Sequence, residues 1–307
     1  MRKTVYLLLA TCLSFFAGAQ NREPLNTEIV TEDIPRFWQA FEKAKPSFKP
    51  EAFDSEYIKL GTRGLKGFTR GRIENARNLA KVVSSHPRYY ASIRPSTERI
   101  AGMKDMIIQS LVKLKQLYPE AIFPPVYFVV GALNSGGTTS KDGLIIGADM
   151  YGLTDQTPTE ELNDWLKDVI KPVDQIPHVV AHELVHFQQN YDGRTLLEGS
   201  IKEGSADFIA ELISGKHINS YVHEYANPRE KELWEEFRGK MDGKDYKGWL
   251  YSGSKGRPHD LGYWMGYKIT RSYYEHAGDK QQAIHDILNI KDFKKFLADS
   301  RYEESLK

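Results

Sequence analysis

The sequence predicts a mixed α+β fold, in which a small sheet with helices precedes a mostly helical C-terminal half. Three observations point there. Apolar residues recur at helical spacing in 33–45, 72–84 and 96–118. Two β-branched and aromatic runs follow, at 126–130 and 143–149. From Thr157 onward the pattern is again mainly helical. A chain of 307 residues, 40% hydrophobic and 27% charged, has material for a large core, and global disorder or coiled coil does not fit that composition.

The elements follow in order. Arg2 and Lys3 precede an apolar run over 5–16 and the small residues Ala17, Gly18 and Ala19, so residues 1–19 read as a signal peptide with Gln20 first in the mature chain. The run is short for a membrane anchor. Cys12 opens a lipoprotein reading, but apolar residues continue through 13–16 and Thr11 precedes the cysteine, so simple secretion is favoured. The expected location is the periplasm, cell envelope or exterior. Cys12 is the only cysteine, so the mature chain would have no disulfide and no thiol for catalysis or metal binding. Removing Arg2 and Lys3 from the 42 basic residues leaves 40 against 41 acidic ones. That near-neutral balance lacks the basic footprint of a nucleic-acid binder. No later segment is long and apolar enough for a transmembrane span.

Residues 20–30 are polar and read as a flexible tail. Residues 31–307 read as a single domain, with an N-terminal lobe of about 31–190 and a C-terminal lobe of about 191–307. Ile34, Phe37, Trp38 and Phe41 predict an amphipathic helix over 33–45, stopped by Pro46 and Pro50. Gly61, Gly64, Gly67 and Gly71 predict a turn-rich stretch that matches no phosphate-loop pattern. In the helix over 96–118, Met103, Met106, Ile107, Leu111, Leu114 and Leu117 form a stripe, and its methionines read as core. The strands at 126–130 and 143–149 are joined by a long, flexible connection at 134–142 that contains Gly136 and Gly137.

The residues that carry chemistry lie on the next helix. Asp174 suits its N-cap, Pro177 its first turn, and Val179, Val180, Leu184, Val185 and Phe187 give it a helical apolar pattern. His182 and His186 are four residues apart, which places both imidazoles on one helix face. Two neutral imidazoles so placed can ligate one zinc ion. Glu183 lies beside them, positioned to reach a water activated by the metal. A third ligand is available in Glu203, on an amphipathic helix closed by Gly215. Glu203, Asp207 and Glu211 follow at steps of four, where like charges disfavour a helix by about 0.2–0.5 kcal/mol per pair. A zinc ion and its histidines would remove that repulsion. Asp207 would then accept a hydrogen bond from a ligand imidazole and fix its tautomer. The competing reading of Glu203 and Asp207 is a solvated acidic face with no metal.

The arrangement resembles the gluzincins, thermolysin-like and related zinc peptidases, which pair a His-Glu-x-x-His helix with a Glu-x-x-x-Asp helix. Here the pairs are His182-Glu183-x-x-His186 and Glu203-Gly-Ser-Ala-Asp207. More closely, residues 55–275 resemble a family of predicted zinc-dependent proteases of bacterial envelopes, related to gliding-motility lipoproteins. A third segment, Gly262-Tyr-Trp-Met-Gly-Tyr267, shares in that resemblance. It implies a zincin-like fold, one zinc per chain, and a peptide or protein substrate.

The expected chemistry is metal-assisted hydrolysis of peptide bonds, with Glu183 as general base. Tyr263, then His259, are candidates to donate to the oxyanion, and they share a face with Tyr267 if a helix starts near His259. Residues 143–149 are the candidate edge for pairing with an extended substrate, with 134–142 as a flap. His178 reads as a histidine satisfied by solvent or backbone, while His217 and His223 show no partner pattern. Two other functions fit the same residues. One is a non-catalytic, zinc-stabilised binding or assembly module of the envelope; the other is a zinc hydrolase acting on a non-peptide amide or an ester.

Overall fold

The computed structural model describes residues 20–251, 253 and 256–306, so the expected leader over 1–19 and Cys12 lie outside the described residues. Six helices occupy the first part: α1 (Asp33–Ala44), α2 (Pro50–Phe53), α3 (Arg63–Phe68), α4 (Ala76–Ser85), α5 (Pro87–Glu98) and α6 (Lys104–Leu117). Four strands form one sheet: β1 (Ile29–Val30), β2 (Val126–Val129), β3 (Gly137–Ser140) and β4 (Gly143–Gly147). Among the described residues, eight α-helices follow: α7 (Asp164–Val169), α8 (Ile176–Gln188), α9 (Leu196–Ser214), α10 (Ser220–Ala226), α11 (Glu230–Arg238), α12 (Leu261–His276), α13 (Lys280–Leu288) and α14 (Phe293–Ser300). The α+β class is as expected. Among the described residues, no helix is long and apolar enough to cross a membrane.

The sheet order is β1-β2-β4-β3. β1, β2 and β4 run parallel, and β3 is antiparallel to β4, with Thr138 opposite Ile145 and Gly137 opposite Ile146. β2 and β4 are buried along their whole length, as expected of parallel strands covered on both faces. α3 packs against β2 and β4, while α8 packs against β3 and β4.

Five sequence expectations are corrected. Residues 20–30 are not a loose tail: Pro24 and Thr27 are buried, and Ile29–Val30 pairs with Val126–Tyr127. The glycine-rich stretch is helical rather than turn-rich, forming α3 and a following π turn at Thr69–Ile73. Gly64 serves packing, since a Cβ there would overlap the Tyr127 ring. The connection at 134–142 contains a strand, β3. That strand, not 143–149, is the sheet edge beside α8, because β4 lies between β2 and β3. Finally, Met103 is buried as expected, but Met106 is 50% exposed.

Buried polar groups pin the segment that leads from β2 to β3. Tyr57 donates to the carbonyl of Val130, and Tyr90 to that of Gly131, both at 2.8 Å. The Asp149 carboxylate accepts the backbone N–H groups of Gly131 and Leu133 at 2.6 and 2.7 Å.

The C-terminal half is organised by the crossing of α9 and α12. Both helices are glycine-bearing where they touch. A Cβ on Gly266 would fall on the carbonyl oxygen of Ser200, and one on Gly204 would fall on the backbone of Gly266 and Tyr267. The two backbones therefore approach too closely for any side chain, in the manner of small-residue helix contacts. The Gly262–Gly266 spacing of the C-terminal motif is explained by this contact. Replacing Gly266 by Ala gains about 1 kcal/mol of helix propensity. The overlap is with backbone, which no rotamer change relieves, so overpacking dominates. We predict that Gly266→Ala lowers stability by about 2 kcal/mol or more, read as a fall in the urea midpoint. An unchanged midpoint would contradict the tight crossing.

Candidate metal centre

The site forms where α8 lies across α9. α8 buries Val180, Leu184 and Val185 against the interior and carries His182 and His186 on the face that also bears Val179. Its N-cap is Gln175 rather than Asp174, which instead pairs with Arg99 at 2.9 Å. α9 begins with a reciprocal capping box between Thr195 and Glu198 and ends at Gly215 in the left-handed conformation. It is buried along most of its length, so Glu203 and Asp207 are interior carboxylates, 7% and 2% exposed. They do not form a solvated acidic face.

Three donor atoms converge, one each from His182, His186 and Glu203, all within 4.8 Å of one another. His186 Nε2 is 3.0 Å from His182 Nε2 and 3.0 Å from Glu203 Oε2, and His182 Nε2 is 3.7 Å from that same oxygen. Ligand atoms on a tetrahedral zinc with bonds of about 2.0–2.1 Å stand about 3.3–3.4 Å apart. The separations scatter around that value, and a two-nitrogen, one-oxygen donor set suits zinc, so the residues fit the ion.

The surrounding groups orient these donors. Asp207 Oδ1 lies 2.8 Å from His182 Nδ1, and Asn219 donates to Asp207 Oδ2 at 2.8 Å. Gln189 Oε1 lies 2.8 Å from His186 Nδ1, while the Gln189 amide donates to the Lys202 carbonyl and to Ser205 Oγ. Each imidazole thus turns Nδ1 to an oxygen and Nε2 to the cluster, the arrangement that favours metal ligation. Tyr251, which the sequence did not single out, donates to Glu203 Oε1 at 2.8 Å. Tyr263 stacks over the His182 ring with an interplanar angle of 11°.

Charge shifts follow from this packing. Burial works against charge on His182, but the carboxylates of Asp207 and Glu203 outweigh it and hold the imidazole pKa well above its usual value. Burial likewise works against charge on Glu203, and the two histidines overcome it, holding the carboxyl well below its usual range. Glu183 behaves oppositely, because burial prevails over the nearby histidines and raises its pKa. Its carboxylate lies directly under the edge strand, where a Cβ on Gly137 would collide with it.

Two sequence-derived candidates lie elsewhere. α12 begins at Leu261, after Asp260 in a left-handed conformation, so His259 is not on the helix with Tyr263. Its Nε2 is 3.7 Å from Asp168 instead. Tyr267 points away from the cluster and donates to Glu211 at 2.7 Å, with the rings of His217 and His223 packed on it. His178 Nδ1 is buried without a hydrogen-bond partner, rather than satisfied by backbone. Gln189 is three residues beyond His186, a spacing that could have identified it. Tyr251 has no such signal, because a loop with positive φ delivers it from 48 residues away.

The cleft continues on both sides of Glu183. One cavity, of about 340 Å³, is largely apolar; the other, of about 510 Å³, is polar and lined by Arg72, Thr138, Asp192 and Lys202. His182, Glu183, Tyr251 and Tyr263 border both.

The family model for gliding motility protein GldB matches residues 20–239 of the chain. No curated protein and no solved structure matches it.

Removing the Asp207 carboxylate should weaken zinc binding by about 10–100-fold, measured for Asp207→Ala by competition with a chelator. Because the raised His182 must lose a proton to become a ligand, zinc affinity of the unmodified protein should rise with pH across neutrality. Unchanged affinity in Asp207→Ala would remove Asp207 from the site.

Proposed function

We propose, from the premise that this chain belongs to the gliding motility protein GldB family, that it is an exported, envelope-associated zinc peptidase of the gluzincin type. The observation that carries the reading is the convergence of His182, His186 and Glu203 beside a carboxylate, Glu183, that takes no part in that cluster. A buried three-donor set with an adjacent raised carboxyl is the combination that hydrolysis by activated water requires. The zincin-like reading of the fold draws on the same two crossed helices and on the antiparallel edge strand beside them.

His182, His186 and Glu203 would hold the ion. When bound, zinc supplies Lewis acidity, polarising a carbonyl and making water nucleophilic near neutral pH. Every other role falls to the chain. Glu183, with its raised pKa, accepts the proton of the attacking water and returns it to the departing amine. Tyr263 and Tyr251 border the same cleft, and a hydroxyl from either can donate to the oxyanion as it forms. Tyr251 already donates to Glu203, so Tyr263 is the freer donor. The outer edge of β3 offers its backbone to an extended substrate, and Gly137 leaves room for that strand to meet Glu183.

A second reading keeps the metal and drops the reaction. The family's description names motility rather than hydrolysis, which favours an envelope assembly module with a structural ion. A zinc hydrolase acting on another amide or an ester differs only in substrate. Glu183→Gln separates the readings. A peptidase should lose about 10²–10⁴-fold in kcat while keeping its zinc. Equal turnover by the variant and the unmodified protein would sink the role of Glu183. Zinc retention without hydrolysis by either protein, across peptide, amide and ester panels, would favour the assembly reading.

A further inference from the structure

The apolar cavity beside Glu183 has a composition of its own. At about 340 Å³ it is at the small end of ligand pockets, enough for about one or two residues of a peptide. Met150, Val169, Val179 and Ile218 line it. Six large hydrophobic side chains are exposed among the described residues, and three of them, Trp165, Tyr221 and Tyr251, border this one cavity. Exposed aromatic rings gathered around one hollow mark a surface that meets a ligand.

Lys171 is the cation in that cavity. Its backbone N–H is fixed on the Met150 carbonyl at 2.9 Å, and its ammonium lies 4.3 Å from the centre of the Tyr221 ring. Among the described residues no carboxylate comes within 4.0 Å of it, and Asp168 and Asp260 attract it only from further away. Asp260 is engaged otherwise, accepting the backbone N–H of Tyr251 at 2.7 Å. Burial lowers the Lys171 pKa, because the ammonium is desolvated more than it is paired. Such a cation gains most from a carboxylate brought by a ligand.

We infer that Lys171 binds the C-terminal carboxylate of a peptide whose last residue, apolar or aromatic, fills this cavity. The inference rests on the peptidase reading above and makes the enzyme a trimmer of C-terminal residues. The carboxylate is the main-chain one because Met150, Trp165, Val169, Val179, Ile218 and Tyr221 give the cavity an apolar and aromatic wall that suits a side chain without charge, while the carboxylates of Glu183 and Asp260, also in the lining, would repel an acidic one. In the reaction one water is consumed, the C–N bond before the terminal residue breaks, and that residue leaves as a free amino acid.

The test separates this inference from the peptidase reading. Binding to the Glu183→Gln protein is measured calorimetrically for N-acetyl-phenylalanine, for its amide, and for N-acetyl-glutamate α-amide, whose carboxylate is on the side chain. The free acid should bind about tenfold or more tightly than its amide. Lys171→Met should erase that preference and Lys171→Arg should keep it. Equal binding of acid and amide, a preference that survives Lys171→Met, or tighter binding of the glutamate amide would overturn the inference. Hydrolysis of peptides with free and amidated C-termini at equal rates would also overturn it while leaving the peptidase reading intact. Acid-selective binding lost in Lys171→Met, in a protein that hydrolyses no peptide, would keep the carboxylate site and remove the peptidase reading.

Discussion

The close crossing of α9 and α12 is the constraint on which the site depends. Ser200 and Gly204 on one helix meet Gly262 and Gly266 on the other, and backbone rests on backbone. With one flank of α9 closed in this way, Glu203 and Asp207 face α8 and its histidines instead of water. The same contact fixes the rotation of α12, which lays Tyr263 over His182. Interior carboxylates are costly unless paired, and here the pairing partners are the imidazoles of the neighbouring helix. Glycine at the crossing and acid–imidazole pairing beneath it are two parts of one arrangement.

Electrostatics divides the labour among similar groups. Glu203 and Glu183 lie in one cleft, yet their environments push them apart, the first held ionised by two histidines and the second raised by burial. Carboxylates whose shifts oppose each other in this way suit the different roles proposed for them, a ligand and a proton acceptor. The cleft is also asymmetric along its length. One side is polar, with Arg72 and Lys202, and the other is aromatic, with Lys171 in its wall. Under the proposed peptidase reading, a substrate crossing Glu183 would meet different chemistry before and after the reacting bond.

Much of this was legible because it is local. The spacing of His182 and His186, the steps of four from Glu203 to Asp207 and the apolar runs at 126–130 and 143–149 are short-range patterns that the structure places on helices and strands. What escaped depends on distant partners. The two-residue strand Ile29–Val30 exists because Val126 and Tyr127 lie beside it, almost a hundred residues later. β3 hides in a short, polar Gly-Thr-Thr-Ser run with no apolar alternation to mark it, ordered by its pairing with β4. The glycines at 61–71 looked like turn formers, but Gly64 and Gly67 are small so that α3 can settle on Tyr127 and Ile145. Tyr251 reaches Glu203 from a loop with no periodicity to read, and the helix expected from His259 begins two residues later, so that imidazole points away.

The central claim is that His182, His186 and Glu203 together bind a metal ion. Elemental analysis of the purified full chain, prepared without added metal, tests it most directly, beside His186→Ala and Glu203→Ala. The account predicts about one zinc per unmodified chain and a large loss in both variants. An absence of zinc from all three proteins, even after exposure to excess zinc and removal of the unbound ion, would contradict it.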